Sequence, residues 1–149
     1  MKTTIDGVKA TGGFYMEVIE VATGRLLEKY DNPNKVVTLG HTNVAKLLGG
    51  DLTGLAITKI AFGTNGTAPE LSDTALTGSY SKAIDSVTYP TSNSVRFNWD
   101  LDAGEGNGMT IQELGLLTST NVLFARKVRS GIVKTSAVRL VGSWTISIN

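Results

Sequence analysis

Four oxygen-bearing side chains lie close together in the sequence and could bind a cation. Asp100, Asp102, Glu105 and Asn107 carry the carboxylate and amide oxygens that calcium prefers as ligands. Their spacing matches no established metal-binding loop. The alternating glycines that follow Asp102 lack the lysine and the strand-to-helix context of a phosphate-binding loop. We therefore favour a flexible hairpin loop here over a calcium or nucleotide site.

The chain offers little for nucleophilic or acid–base catalysis. It contains no cysteine, its one histidine is His41, and no serine lies in a Gly-x-Ser-x-Gly turn. No two acidic residues are placed by the sequence in an obvious cleft, as a glycosidase would require. We expect a protein that is not an enzyme and has no cofactor and no bound metal, with His41 at the surface or at a helix end.

Glu113 and Arg126 are predicted to form an ion pair across a β-hairpin. Alternating apolar residues over 109–128 predict two antiparallel strands with a tight central connection, so that residues whose numbers sum to 239 face each other. Glu113 then lies opposite Arg126. Gly115 lies opposite Phe124, whose ring could cover the bare glycine backbone. The pair should be partly buried, and loss of one partner would leave an uncompensated charge.

An ordered loop is predicted after the short apolar strand that ends at Phe62. Gly63, Asn65 and Gly66 tolerate positive φ, and Pro69 fixes its own φ. Asp73 can accept hydrogen bonds from nearby backbone amides. We expect this loop to cap a sheet as a structural element.

Composition favours an all-β protein with many turns. The 149 residues suit one domain, with 41% hydrophobic residues, 18% charged residues and 17 glycines. The net charge of +1 argues against direct nucleic-acid binding, and no segment approaches the ~20 apolar residues that cross a membrane. Without cysteine, core packing or assembly must stabilise the fold.

The predicted fold is an antiparallel two-sheet sandwich, jelly-roll-like, with about eight strands and one short helix. Residues 1–13 are predicted as an N-terminal arm or linker and residues 14–149 as a single β-sandwich domain. The helix is expected near Val44 to Leu48, stopped by two glycines, and the strictly alternating strand from Val138 to Ile148 should close the fold.

Another hairpin is predicted from strands over 79–89 and 94–101. An odd-numbered connection places Val87 opposite Phe97 and keeps their apolar neighbours on one face. The same register places Asp85 opposite Trp99, a pairing for which the sequence offers no reason.

Three segments carry a resemblance to a known group of proteins. The first is ITKIAFGTNGTAPELSDTAL over 57–76, the second is QELGLL followed by LFAR over 112–126, and the third is the closing Trp144, Ile146 and Ile148. In this order they resemble small bacteriophage virion proteins of the capsid decoration (cement) type and the related tail-collar modules of phage tail fibres.

The resemblance implies a decoration protein that binds the outer face of the head shell and bridges major capsid subunits. It also implies a homotrimer, assembled in the host cytoplasm and located on the capsid surface of the virion. The absence of a fibrous repeat favours the head over the tail. The alternative is a tail, baseplate or tail-fibre attachment subunit that binds a receptor or glycan through exposed aromatics such as Tyr80, Tyr89 or Trp99.

Overall fold

The computed structural model describes residues 9–53 and 55–149, which form nine strands and one helix. The strands are β1 (Ala10–Glu20), β2 (Leu26–Val36), β3 (Ile57–Gly63), β4 (Tyr80–Ala83), β5 (Ser86–Thr91), β6 (Ser94–Leu101), β7 (Thr110–Thr118), β8 (Leu123–Val133) and β9 (Val138–Ile148), and the helix is α1 (Thr38–Leu48).

All nine strands join one antiparallel sheet in the order β4-β3-β7-β8-β2-β1-β9-β6-β5. The predicted all-β antiparallel class is therefore confirmed, with nine strands in the described residues where about eight were expected. The division into two separate sheets of a jelly roll is not confirmed, because the strand order is continuous and the sheet curls instead.

The two ends of the sheet meet at a short corner of the chain. β4 and β5 lie at opposite ends of the strand order, yet only Ile84 and Asp85 separate them. The N–H of Ile84 donates to the O of Thr58 in β3 at 2.9 Å, and the N–H of Asp85 donates to the O of Asn98 in β6 at 2.9 Å. This corner brings both ends of the sheet together and makes it curl.

The predicted single strand over 79–89 is wrong, because this corner divides it into β4 and β5. Val87 does lie opposite Phe97, as predicted. Asp85 is not opposite Trp99, because Asp85 lies in the corner and β5 begins only at the next residue. Trp99 lies instead opposite Gly142 of β9, where a Cβ would overlap the indole ring.

A shared aromatic core fills the concave face of the sheet. Phe14 contacts Trp144 edge-on with ring centroids 5.1 Å apart and stacks on Trp99 at 6.0 Å, while Phe62 contacts Trp99 edge-on at 5.4 Å. Phe62 in β3 and Trp99 in β6 come from strands near opposite ends of the order. Their contact shows that the curled sheet closes around one core.

The helix is longer than predicted and begins at Thr38 rather than at Val44. It ends as predicted at two glycines: Gly49 is the C-cap, and Gly50 has φ +86°. His41 lies within the helix and is exposed.

Strand β1 begins inside the predicted N-terminal arm. Ala10 to Gly13 pair with the end of β9, so these residues belong to the sheet. The remainder of the predicted arm, residues 1–8, lies outside the described residues. Lys9 exchanges two backbone hydrogen bonds with Asn149, at 2.7 and 2.8 Å, so both described chain ends lie side by side.

Candidate functional site

The predicted ion pair between Glu113 of β7 and Arg126 of β8 is confirmed. The Nε of Arg126 donates to Oε1 of Glu113 at 3.0 Å, and the two side chains are only 2% and 0% exposed. Two buried charges in contact require hydrogen bonds to their remaining polar atoms. The loop between β3 and β4 supplies those hydrogen bonds.

The predicted register of this hairpin is wrong by two residues. Glu113 lies opposite Val128, and Arg126 lies opposite Gly115, so the ion pair joins diagonal neighbours. Long side chains reach such diagonal positions, which is why the pair forms despite the shift.

The shift comes from the connection and from a bulge. The connection between β7 and β8 is longer than the predicted two residues and includes Asn121 with φ +66°. Leu116 then pairs with Ala125 and Leu117 with Leu123, which leaves Phe124 out of the ladder. Phe124 therefore does not cover Gly115.

Gly115 is covered by apolar side chains from two other places. A Cβ at Gly115 would lie 2.9 Å from Leu123 and 3.2 Å from Leu76 of the β3–β4 loop. The glycine is therefore needed for close packing of the loop onto β7, and this contact replaces the predicted one with Phe124.

Glu113 and Arg126 fix the β3–β4 loop at several points. Oε2 of Glu113 accepts the N–H of Asn65 at 2.7 Å and the N–H of Thr77 at 3.0 Å. Nη1 of Arg126 donates to Oδ2 of Asp73 at 2.9 Å, and Nη2 donates to the O of Asn65 at 3.0 Å. We call these five residues the loop network. It joins the loop's beginning, middle and end to the sheet.

The glycines of this loop have a role other than the predicted one. Gly63 and Gly66 do not have positive φ; a Cβ at Gly63 would lie 2.8 Å from Glu113, and one at Gly66 would overlap Gln112. Close approach therefore requires glycine at Gly63, because Glu113 is held in place by its hydrogen bonds, whereas the end of the Gln112 side chain could move away from a Cβ at Gly66. The positive φ in this region belongs to Gly78, at +55°. Pro69 lies half-buried within the loop.

The loop network joins the sequence segment 57–76 to the hairpin segment 112–126. The first segment forms β3 and the loop, and the second supplies Glu113 on β7 and Arg126 on β8. None of the described cavities is lined by either residue of this ion pair. With their polar atoms bonded inside the protein, these residues shape a surface loop and are not free for catalysis.

The four side chains considered as candidate cation ligands are bound by the protein's own basic side chains. Oxygens of Asp100, Asp102 and Glu105 lie within 4.8 Å of one another. The Nζ of Lys82 donates to Oδ1 of Asp100 at 3.1 Å and to Oε2 of Glu105 at 2.7 Å. Arg139 lies 3.6 Å from Asp100 and 3.4 Å from Asp102. A calcium ion would have to compete with both basic side chains.

The pKa values in this acidic cluster follow from Lys82. Burial is the largest single effect on Lys82 and would lower its pKa, but the hydrogen bonds to Glu105 and Asp100 and the charges of these two carboxylates together raise it. The hydrogen bond from Lys82 lowers the pKa of Glu105. Burial is the largest single effect on Asp100 and would raise its pKa, but the hydrogen bond and charge of Lys82, the hydrogen bond with Asp85 and the charge of Arg139 together lower it. Burial, then the charge of Asp100, raises the pKa of Asp85 at the β4–β5 corner. Lys82 therefore links the corner to β6.

Asn107 contacts a buried lysine. The Nζ of Lys134 donates to Oδ1 of Asn107 at 2.9 Å, to the O of Thr135 at 3.0 Å and to the O of Ala103 at 3.5 Å. Lys134 is completely buried, and burial lowers its pKa. Oxygens of the loop after β6 therefore bind the ammonium group of Lys134, and their role there is structural.

An apolar groove lies between α1 and the ends of β6 and β9. Val44 and Leu48 form one wall, and Val95, Ile146 and Ile148 form the other; the main cavity has a volume of about 370 Å³. A smaller hollow of about 180 Å³ shares Val44, Leu48 and Ile148. We call the two hollows together the α1 groove.

Large apolar side chains are exposed at the end of α1 and just after it. Leu48 is 83% exposed, and Leu52, four residues further along the chain, is 73% exposed. Val44, Leu47 and Leu48 recur at helical spacing, but of these three only Val44 packs against the core. The density of leucines just before and after Gly49 is the sequence signal that could have indicated a contact surface.

Comparisons with known protein families, with curated proteins and with solved structures found no match for this chain. Within the described residues, no helix has the length and hydropathy needed to cross a membrane.

Proposed function

We propose that this chain is a bacteriophage capsid decoration, or cement, protein that binds the outer face of the head shell and bridges neighbouring major capsid subunits. The observation that carries the proposal is the apolar surface formed by the exposed side chain of Leu48 and the α1 groove that it lines. Contiguous exposed apolar surface marks sites of protein–protein contact, because leaving it in water is unfavourable.

The partner is proposed from the resemblance of the ordered sequence segments to phage virion proteins. A protein that binds the assembled shell, and not the separated subunits, stabilises the shell by mass action. Within this proposal the protein is a trimer on the virion surface. The curled sheet is then a variant of the two-layer jelly roll, since β2 pairs mostly with β1 but ends by pairing with β8 through Lys35 and Val36.

Binding to purified shells tests the proposal. Leu48→Asp should abolish co-sedimentation of the protein with assembled shells, whereas Val133→Asp should not. Val133 is a suitable control because it is 64% exposed and lies on β8, outside the α1 groove. Equal binding by both variants would refute the contact surface. Protein bands of purified virions should show hundreds of copies per particle, and a handful of copies would favour a tail location.

A polar groove keeps the tail or receptor-binding alternative as a second candidate. It has a volume of about 440 Å³ and is lined by Tyr15, Asp31 and Arg96 together with hydroxyl side chains of β9. Such groups could bind a glycan. Tyr89, at 77% exposed, is accessible, but Trp99 is 1% exposed and cannot serve as an exposed aromatic platform. Binding of the free protein to host-cell glycans, with few copies per virion, would support this alternative.

A further inference from the structure

The polar groove lies on the outer face of the sheet, opposite the aromatic core. Phe14 of β1, Phe97 of β6 and Trp144 of β9 belong to that core. Successive side chains of a strand point to opposite faces, so the neighbours of these three residues along their strands point outwards. Together with Asp31 of β2, residues of this outward face line the groove, which has a volume of about 440 Å³.

Gly13 leaves the floor of the polar groove open. It lies opposite Pro33 of β2 and Thr145 of β9. Its φ is not positive, and a Cβ there would meet no atom within 4 Å. Neither the backbone conformation nor close packing therefore requires glycine at this position. The missing side chain leaves a hollow in the outer face of the sheet, beside Tyr15.

Arg96 lies at one side of this hollow and is held in place by a neighbour. It is opposite Thr145 in the sheet, and its Nε donates to Oγ1 of Thr145 at 3.1 Å. Its two Nη atoms make no hydrogen bond and no ion pair with any of the described residues. The guanidinium is therefore oriented by one hydrogen bond, while its terminal N–H groups are available to a ligand. Such a planar group binds a carboxylate through two parallel hydrogen bonds.

Asp31 lies at the other side of the polar groove. It is exposed, it is opposite Tyr15, and its carboxylate makes no hydrogen bond or ion pair with the described part of the chain. Arg96 and Asp31 are the two charged residues of the described lining, so their charges cancel. A ligand with several negative charges would be repelled by Asp31. A ligand with one negative charge and many hydroxyl groups matches the lining, which also carries the hydroxyls of Ser143 and Thr145.

We propose that the polar groove binds an acidic glycan, and that Arg96 binds the carboxylate of a sialic or uronic acid unit. Hydroxyl groups of the adjoining sugar donate to Asp31 and exchange hydrogen bonds with the hydroxyls of β9. The inference rests on the glycan-binding alternative proposed above for the same groove, and it does not depend on capsid decoration. It adds the chemical class of the glycan, because a polar site selects against ligands that leave its charged groups unpaired.

The spacing of the strands sets the length of the ligand. β9 and β1 separate β6, which carries Arg96, from β2, which carries Asp31. The hydrogen bond to Thr145 draws the guanidinium over β9. Two strand spacings, roughly 10 Å, then remain between β9 and β2. A ligand that contacts both charged groups therefore has at least two sugar rings.

Gly13→Val tests the location of the site. Valine suits a β-strand, and the open space at Gly13 accommodates its side chain, so the midpoint of thermal unfolding should not fall. The filled hollow should abolish binding of sialyllactose and of lactose. Gly104→Val is the matched control, because Gly104 also has no atom within 4 Å of its Cβ position but lies outside the groove. Sialyllactose binding retained by folded Gly13→Val would place the site elsewhere and overturn the proposal.

Sialyllactose and lactose also test the chemical class, because they differ by one sugar that carries a carboxylate. Isothermal titration calorimetry of the wild-type chain should show sialyllactose binding about tenfold tighter than lactose, with a preference that shrinks as the salt concentration rises. Arg96→Gln should reduce the affinity for sialyllactose to that for lactose. Arg25→Gln removes the same charge from a 70% exposed side chain outside the groove and should bind both sugars like the wild type.

The outcomes separate this inference from the glycan-binding alternative. Equal affinity of the wild type for the two sugars would overturn the acidic class and leave the alternative standing, whereas binding of neither sugar would overturn both. Unchanged sialyllactose affinity in Arg96→Gln would overturn the role of Arg96. A hyaluronan tetrasaccharide serves as a second acidic probe: tighter binding than sialyllactose assigns the carboxylate to a uronic acid, weaker binding assigns it to a sialic acid, and either result supports the proposal when Arg96→Gln loses it.

Discussion

Arg126→Met tests whether the ion pair of the loop network is needed to hold the β3–β4 loop. The substitution keeps an apolar side chain of similar length but removes the guanidinium beside Glu113, which is 0% exposed. Oε2 of Glu113 would keep its hydrogen bonds from Asn65 and Thr77, but Oε1 would lose its partner. The result is a buried carboxylate without a compensating charge.

The expected cost follows from that burial. Removing one partner of a buried ion pair costs roughly 3–5 kcal/mol. For a domain of this size that loss corresponds to a fall of roughly 6–20 °C in the unfolding midpoint. Arg25→Met is the matched control, since the Arg25–Glu20 pair has a similar N–O distance of 3.0 Å but a 70% exposed arginine; an exposed pair is worth about 0–1 kcal/mol.

Urea unfolding followed by the fluorescence of the two buried tryptophans would measure the free energy of unfolding. Glu113→Leu and the double variant Glu113→Leu/Arg126→Met complete a double-mutant cycle. The double variant should be more stable than the sum of the single losses predicts, because the fully buried carboxylate is removed together with its partner, and the Asp73 carboxylate that remains is partly exposed. The reasoning is refuted if Arg126→Met costs no more than Arg25→Met, or if the cycle shows no coupling. Should Arg126→Met fail to fold, Asp73→Asn, at a side chain 25% exposed, gives a milder test of the same network.

Three further predictions concern the rest of the fold. The carboxylates that bind Lys82 have lowered pKa values, so their stabilisation should be present above about pH 4 and lost as the pH falls below it; Lys82→Met should flatten this acid limb of a stability–pH curve, and an unchanged limb would contradict the assignment. Gly142→Ala should destabilise by about 1–3 kcal/mol in urea unfolding because its Cβ overlaps the Trp99 ring, whereas Gly104→Ala, with no atom within 4 Å, should be neutral. Deletion of β9, which lies between β1 and β6, should abolish the cooperative unfolding transition and not merely shorten the chain.

The sequence was sufficient for the identity of several contacts but not for their geometry. Glu113 and Arg126 stand out as charges in an apolar hairpin, so their pairing was predictable. The register was not, because it depends on Asn121 taking positive φ and on Phe124 forming a bulge. Both features are backbone conformations that these residue types allow but do not require.

At the β4–β5 corner, an unfavourable predicted residue pairing was the sign of a turn that the prediction had not included. Predicting one continuous strand placed Asp85 opposite Trp99, an acidic residue against a core aromatic. The structure removes this conflict by turning the chain at Ile84 and Asp85. No glycine or proline marks the turn, so periodicity alone extends the strand through it. Likewise, helical periodicity cannot distinguish a core face from a contact surface, which is why the exposure of Leu48 was missed.

The loop network and the α1 groove are connected through the start of the helix. The N–H of Thr38 donates to the O of Leu71 in the β3–β4 loop at 2.9 Å, and the N–H of Val37 donates to the O of Phe124 in β8 at 3.1 Å. Unpaired N–H groups at a helix start need such partners, so the loop and β8 together set where α1 begins. Because α1 forms one wall of the groove, the buried ion pair that orders the loop also helps to position the apolar contact surface.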